Sequence, residues 1–123
     1  MTTKKSPSKR PPNNRQRGKR GEREARDAVR THWYAASCIR AGQANGSYSA
    51  DLLYCDPWKD LHVEVKLRRK LAVSHFISQA IRDCKEAVPV VLMREDSGEW
   101  LVMFRCSDTA RFVNALRQQI PAA

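Results

Sequence analysis

Asp51, Glu64 and Lys66 are the residues of this chain whose types and spacing could do chemistry together. The run Leu61-His62-Val63-Glu64-Val65-Lys66 alternates apolar and polar residues, the period of a half-buried β-strand. Leu61, Val63 and Val65 are expected to face a core, and His62, Glu64 and Lys66 the opposite side. A second acid, Asp51, opens another strand-like run, Asp51-Leu52-Leu53-Tyr54-Cys55. Carboxylates converging from neighbouring strands, with an ammonium beside them, offer hard oxygen ligands to a divalent cation next to a fixed positive charge. That combination suits hydrolysis of a phosphodiester.

Other elements must hold these residues in place. From Lys19 to Tyr34 the pattern is helical, and Glu22, Ala25, Val29 and Trp33 share one stripe at spacings of three and four. Glu22 is the odd member, because a carboxylate on an apolar stripe needs a partner; a cation site would supply one, and so would Arg26 on the helix rim. Ser37 to Ala41 reads as a short β run with Arg40 at its end, a candidate phosphate ligand. The polar, glycine-rich Gly42 to Ser49 reads as a loop delivering the chain to Asp51. A turn over Asp56 to Asp60 makes the two site strands a hairpin.

Leu67-Arg68-Arg69-Lys70 sets a basic cluster beside the site. Ser74 is the expected N-cap of a helix from His75 to about Ala87, with Ile77, Ala80, Ile81, Cys84 and Ala87 inward. Pro89 is expected to stop it. Val90 to Met93 reads as a buried strand, Asp96-Ser97-Gly98 as a turn, and Trp100 to Phe104 as a further strand. Ser107 or Asp108 is expected to cap a last helix to about Gln119, with Ala110, Val113, Leu116 and Ile120 inward. The helix after Ser74 then serves as a crossover between parallel strands. The fold class is α/β, a central mixed sheet of about five strands flanked by helices.

Composition limits the partners. The 123 residues carry 23 Lys and Arg against 13 Asp and Glu, a net charge of +10, which predicts an anionic partner. Eight of the basic residues and none of the acids lie in the first twenty positions. Residues 1–17 are expected to be a disordered basic arm along phosphates, and 18–123 the folded domain. The four cysteines form no CxxC pair and are expected as reduced thiols in core positions. No apolar run reaches eighteen residues, so no membrane span is expected and the protein should be intracellular, cytoplasmic or nucleoid-associated.

Taken together, Gly18-Lys19-Arg20-Gly21-Glu22-Arg23-Glu24, then Asp51, then Glu64-Val65-Lys66 resembles the PD-(D/E)xK nuclease superfamily, and within it the archaeal-type Holliday-junction resolvases. The likeness covers roughly Gly18 to Arg105; Ala50 stands before Asp51 in place of a proline that many members also lack. It implies a restriction-endonuclease-like core and a magnesium-dependent, structure-selective DNA endonuclease. Mn²⁺ would substitute, no small-molecule cofactor is needed, and the substrate would be branched DNA cut by a homodimer. It also implies that Asp51, Glu64, the Val65 carbonyl and Glu22 form the metal shell, with Lys66 at the scissile phosphate. Arg40, Arg68, Arg69, Lys70, Lys19 and Arg20 are the implied DNA contacts. Gln79 resembles a helix glutamine that some members place near the metal, whereas His62 is expected at the strand surface. Two other readings use the same residues: a same-fold nuclease for flaps, ends or single strands, and a nucleic-acid-binding protein that cuts nothing. A plain ion pair between Glu64 and Lys66 would account for those two residues, but not for Asp51 and Glu22.

Overall fold

The computed structural model describes residues 14–41, 50–53, 60–118 and 120. Helix α1 (Asn14–His32) leads into β1 (Ile39–Arg40), β2 (Leu52–Leu53) and β3 (Leu61–Arg68). Helix α2 (Val73–Asp83), β4 (Val88–Glu95) and β5 (Leu101–Phe104) follow, and a short 3₁₀ turn precedes α3 (Thr109–Arg117). The strands lie in the order β1-β2-β3-β4-β5. β3 and β4 run parallel from Leu61↔Val88 to Arg68↔Glu95, with α2 as the crossover, and the other pairings are antiparallel.

The body of this mixed sheet is three strands rather than about five. β1 and β2 are two residues each, and β2 meets β3 only at Leu52↔Val63. The loop expected over 42–49, most of the turn expected over 56–60, and Cys55 lie outside the described residues.

Helices cover both faces of the sheet. On one face Ala25 and Val29 of α1, Trp33 just after it, and Phe112 and Ala115 of α3 pack on Leu61, Val63, Val65, Val90 and Leu92. On the other, Phe76 and Ala80 of α2 pack on Val91 and Met93. That second layer overturns the half-exposed reading of β3: Leu61 through Leu67 are all buried, His62, Glu64 and Lys66 included. Each fully buried Val or Leu contributes about 1.5–3 kcal/mol, so the face carrying three polar side chains is held by its neighbours rather than by its own burial.

Several local expectations shift for identifiable reasons. Helix α1 starts at Asn14, inside the stretch assigned to the basic arm, and Arg17 pairs with Asp96 at 3.3 Å, which ties the first turn to the β4–β5 turn. Residues 1–13 lie outside the described residues. The N-cap of α2 is Ala72, without a side-chain cap, so Ser74 falls inside the helix. The helix ends at Asp83, well before Pro89, which lies in β4; pairing with β5 begins only at Val90, so Pro89 sits where that neighbour is absent.

Two apolar stripes are also displaced. Phe76, not Ile81, joins Ala80 as the anchor of α2, and Ile81 is exposed. In α3 Phe112 and Ala115 point inward while Ala110, Val113 and Ile120 are exposed. Phe112 stacks on Phe104 with centroids 4.3 Å apart and meets Trp33 edge-on at 5.5 Å, so the largest apolar group selects the helix face. Asp108 occupies the N-cap position of α3 but makes no cap bond; its carboxylate accepts from Arg105 Nε at 2.8 Å instead. Cys38 and Cys84 are buried as expected, whereas Cys106 is exposed.

Candidate active site

The site lies where β3 runs on past the end of β2. One residue beyond the Leu52↔Val63 pair stand Asp51 on one strand and Glu64 on the other. The Asp51 amide donates to the Val63 carbonyl at 2.9 Å, its own carbonyl accepts from Ala41 N at 2.9 Å, and its Oδ2 accepts from the Val65 amide at 2.8 Å. A side chain thus takes a ladder position that a backbone carbonyl would otherwise occupy. These three bonds fix the carboxylate against the open edge of β3, towards which the Val65 carbonyl also points.

The polar side chains of β3 are fixed from α2 and from each other. Lys66 Nζ donates to Gln79 Oε1 at 2.8 Å and lies 5.7 Å from the centre of the Phe76 ring. His62 Nε2 and Glu64 Oε2 are 2.7 Å apart, both residues buried. Among the described residues no ion pair joins Glu64 to Lys66, so the bland reading of that pair fails. Glu64 turns one way along the strand and Lys66 the other.

Glu22 enters from α1, next to the point where that helix touches β3. A Cβ on Gly21 would come within 2.9 Å of Leu67 Cβ, a contact real Cβ atoms essentially never make, so the close approach requires glycine there. Glu22 does not pair with Arg26, which bonds Asp27; its Oε1 lies 3.7 Å from Arg40 Nη1. Arg40, expected to hold a phosphate, is therefore engaged with an acid of the protein itself.

Burial and neighbouring acids together disfavour charge at the site. Burial, and then the Glu64 carboxylate, push the Asp51 carboxyl from 3.8 up to about 7; the Val65 amide opposes this, Glu22 adds to it, and Lys66 opposes it. Glu22 is held above its ordinary value by burial, with Arg40 opposing and Glu64 adding. A half-buried Asp51 carboxyl pushed up to about 7 beside a second, buried acid is one whose charge a divalent cation would stabilise. By that test and by their hard oxygen donors, Asp51 and Glu64 fit such an ion, with the Val65 carbonyl on the same edge. Glu22 adds to the field felt by Asp51, and among the described residues no three His, Cys, Asp or Glu side chains gather as a metal site.

The basic residues divide by exposure. Arg69, Lys70, Lys19 and Arg20 face solvent, Arg20 pairing with Glu24 at 3.4 Å. Arg68 lies over the Phe76 ring at 5.8 Å and donates to the Leu67 carbonyl. Two site residues are not anticipated by the sequence reading. Gly21 is the packed glycine of the first helix, while nothing lies within 4 Å of a Cβ built on the motif glycine Gly18. His62 shares the face of Glu64, which the alternation already shows, but its contact becomes visible only once α2 covers that face.

Residues 13–123 match the family described as "Phage putative PDDEXK endonuclease". No curated protein and no solved structure matches the chain. Among the described residues no helix is long and apolar enough to cross a membrane.

Proposed function

Because the chain belongs to the phage family of PD-(D/E)xK endonucleases, we propose that it is a metal-dependent, structure-selective DNA endonuclease of the Holliday-junction resolvase type. The observation that carries the catalytic reading is the half-buried Asp51 beside the buried Glu64 at the open edge of β3, with Lys66 held nearby by Gln79. Asp51 and Glu64 would hold Mg²⁺ or Mn²⁺, with the Val65 carbonyl available on the same edge. When bound, the ion supplies a more acidic water and a counter-charge for the phosphate.

The chain's own residues do the rest. The Val65 amide and the Val63 carbonyl hold Asp51 in one orientation. Gln79 keeps the Lys66 side chain aimed, so that it can neutralise charge developing on the scissile phosphate without reorganising. Burial strengthens both effects by excluding water. The exposed Arg69, Lys70, Lys19 and Arg20, together with the basic residues 1–13, would lie along the DNA backbone and make binding depend on salt.

Selectivity for branched DNA rests on the resemblance of the site motif, and it calls for two opposed cuts and hence a homodimer. Leu101 and Val102 on the outermost strand β5, and Val113 and Ile120 at α3, are exposed apolar residues suited to a second copy. The test is incubation of labelled four-way junction, flap, duplex and single strand with Mg²⁺, using the native chain and Asp51→Asn, with a native mass measurement alongside. Symmetric Mg²⁺-dependent cuts in the junction by a dimer, lost in Asp51→Asn, are the expected result. Cleavage confined to flaps, ends or single strands by a monomer would replace the resolvase reading. Binding without any cleavage would replace the enzyme.

A further inference from the structure

Two cavities among the described residues lie away from the site. One lies along the outer side of α3, between Ala110 and Arg117, and another between α1 and β5, around Trp33 and Trp100. Nothing in the structure shows what would occupy either. Of the buried polar groups on β3, the one that the mechanism above leaves unused is His62, which is 5 % exposed.

His62 and Glu64 stand two residues apart on one face of β3, where side chains run parallel unless something draws them together. Here Nε2 and Oε2 approach to 2.7 Å, the length of a charge-assisted hydrogen bond. Glu64 has a basic neighbour on either side along the strand and engages His62; Lys66 donates to Gln79 instead. Both members of the His62–Glu64 pair are at least 95 % buried, so water cannot readily replace the imidazole if it is removed.

We propose that His62 is a positioning residue, which donates its Nε2 proton to Glu64 Oε2 and reserves the other carboxylate oxygen, Oε1, for a divalent cation. The inference rests on the reading that Asp51 and Glu64 hold such a cation. A carboxylate with one oxygen committed to an imidazole is a one-oxygen ligand. That suits the near-ideal octahedral demand of Mg²⁺, for which Mn²⁺ is the titrant, better than Ca²⁺, which accepts both oxygens of a carboxylate. Hydrogen bonds of this kind to a metal-binding side chain commonly decide metal affinity by about 10- to 100-fold.

The experiment is a calorimetric titration of the metal-free protein with Mn²⁺, repeated with Ca²⁺, for the native chain, His62→Leu and His62→Gln, with thermal unfolding of each to establish that it is folded. His62→Leu is expected to lose about 10- to 100-fold in Mn²⁺ affinity and to discriminate less against Ca²⁺. His62→Gln, whose carboxamide N–H sits at a reach similar to that of Nε2, is expected to recover most of both. A folded His62→Leu that binds Mn²⁺ like the native chain overturns the inference, as does His62→Gln binding no better than His62→Leu. Should His62→Leu fail to fold, His62→Asn, whose N–H falls short of Glu64, takes its place with the same expected loss. A native chain that binds neither ion overturns the metal reading itself, a result distinct from any change at His62.

Discussion

Replacing Asp51 by asparagine should abolish cleavage and at the same time stabilise the metal-free chain. The folded-state carboxyl is pushed to about 7 from an ordinary 3.8, first by burial and then by Glu64. Between those values the folded chain keeps a proton that the unfolded chain releases. Stability is therefore fully present below about pH 4 and is lost as pH rises through 7. At about 1.36 kcal/mol per pH unit the loss amounts to ~4 kcal/mol at most, and about 2 kcal/mol if the charged site draws in water. Asparagine keeps an oxygen to accept the Val65 amide but carries no charge, so it should escape this loss. For a chain of this size that corresponds to a melting temperature higher by roughly 8–15 °C at pH 8. The assay is thermal unfolding in EDTA from pH 4 to 8. The native chain should lose stability across the range, Asp51→Asn should stay nearly level, and the two should converge near pH 4. Saturating Mg²⁺ should restore the native chain at pH 8, by about 2.7 kcal/mol at a hundred times its dissociation constant, and leave Asp51→Asn nearly unmoved. A native profile flat from pH 4 to 8, or an Asp51→Asn chain less stable than the native one at pH 8, would refute the crowding of charge on which the site depends.

Other outcomes follow from the same structure. Gly18→Ala should raise stability by about 0.5–1 kcal/mol, because nothing opposes its Cβ, whereas Gly21→Ala should lower it by roughly 1–2 kcal/mol through the clash with Leu67; urea unfolding separates the two signs. Lys66→Ala should lower kcat by about 10²- to 10³-fold with metal binding retained, and Gln79→Ala should lower it by less, as read in single-turnover cleavage. Burial pushes the Cys38 thiol up to about 11 and Cys106 is exposed, so a thiol reagent at pH 8 should label Cys106 quickly and Cys38 only after unfolding, in a Cys55→Ser background. Deleting residues 1–13, which carry Lys4, Lys5, Lys9 and Arg10, should reduce the slope of log affinity against log salt by up to about 3.6 while leaving the cleavage pattern unchanged.

What the amino-acid order determined by itself is the frame of the site. Alternation from Leu61 to Lys66 placed Glu64 and Lys66 on one side of a strand. The helical stripe through Ala25, Val29 and Trp33 gave α1 its buried face, and the run from Ser74 to Val90 required a crossover between parallel strands. These features are local: they depend on the periods of helix and strand and on where prolines and glycines interrupt them. Only the tertiary structure decided which polar groups are desolvated and which neighbours they meet. Its α2 layer set Gln79 on Lys66, and the strand face expected half-exposed is buried, with His62 against Glu64. Contact with Phe104 and Trp33 rotated α3 onto Phe112, and the nearness of Leu67 made Gly21 rather than Gly18 the constrained glycine. Glu22 likewise fits its stripe in the sequence but pairs with Arg40 in space. Periodicity says which way a side chain points. Whether it meets water, an aromatic ring or another charge depends on segments far along the chain, and that settles the electrostatics of Asp51 and Glu64.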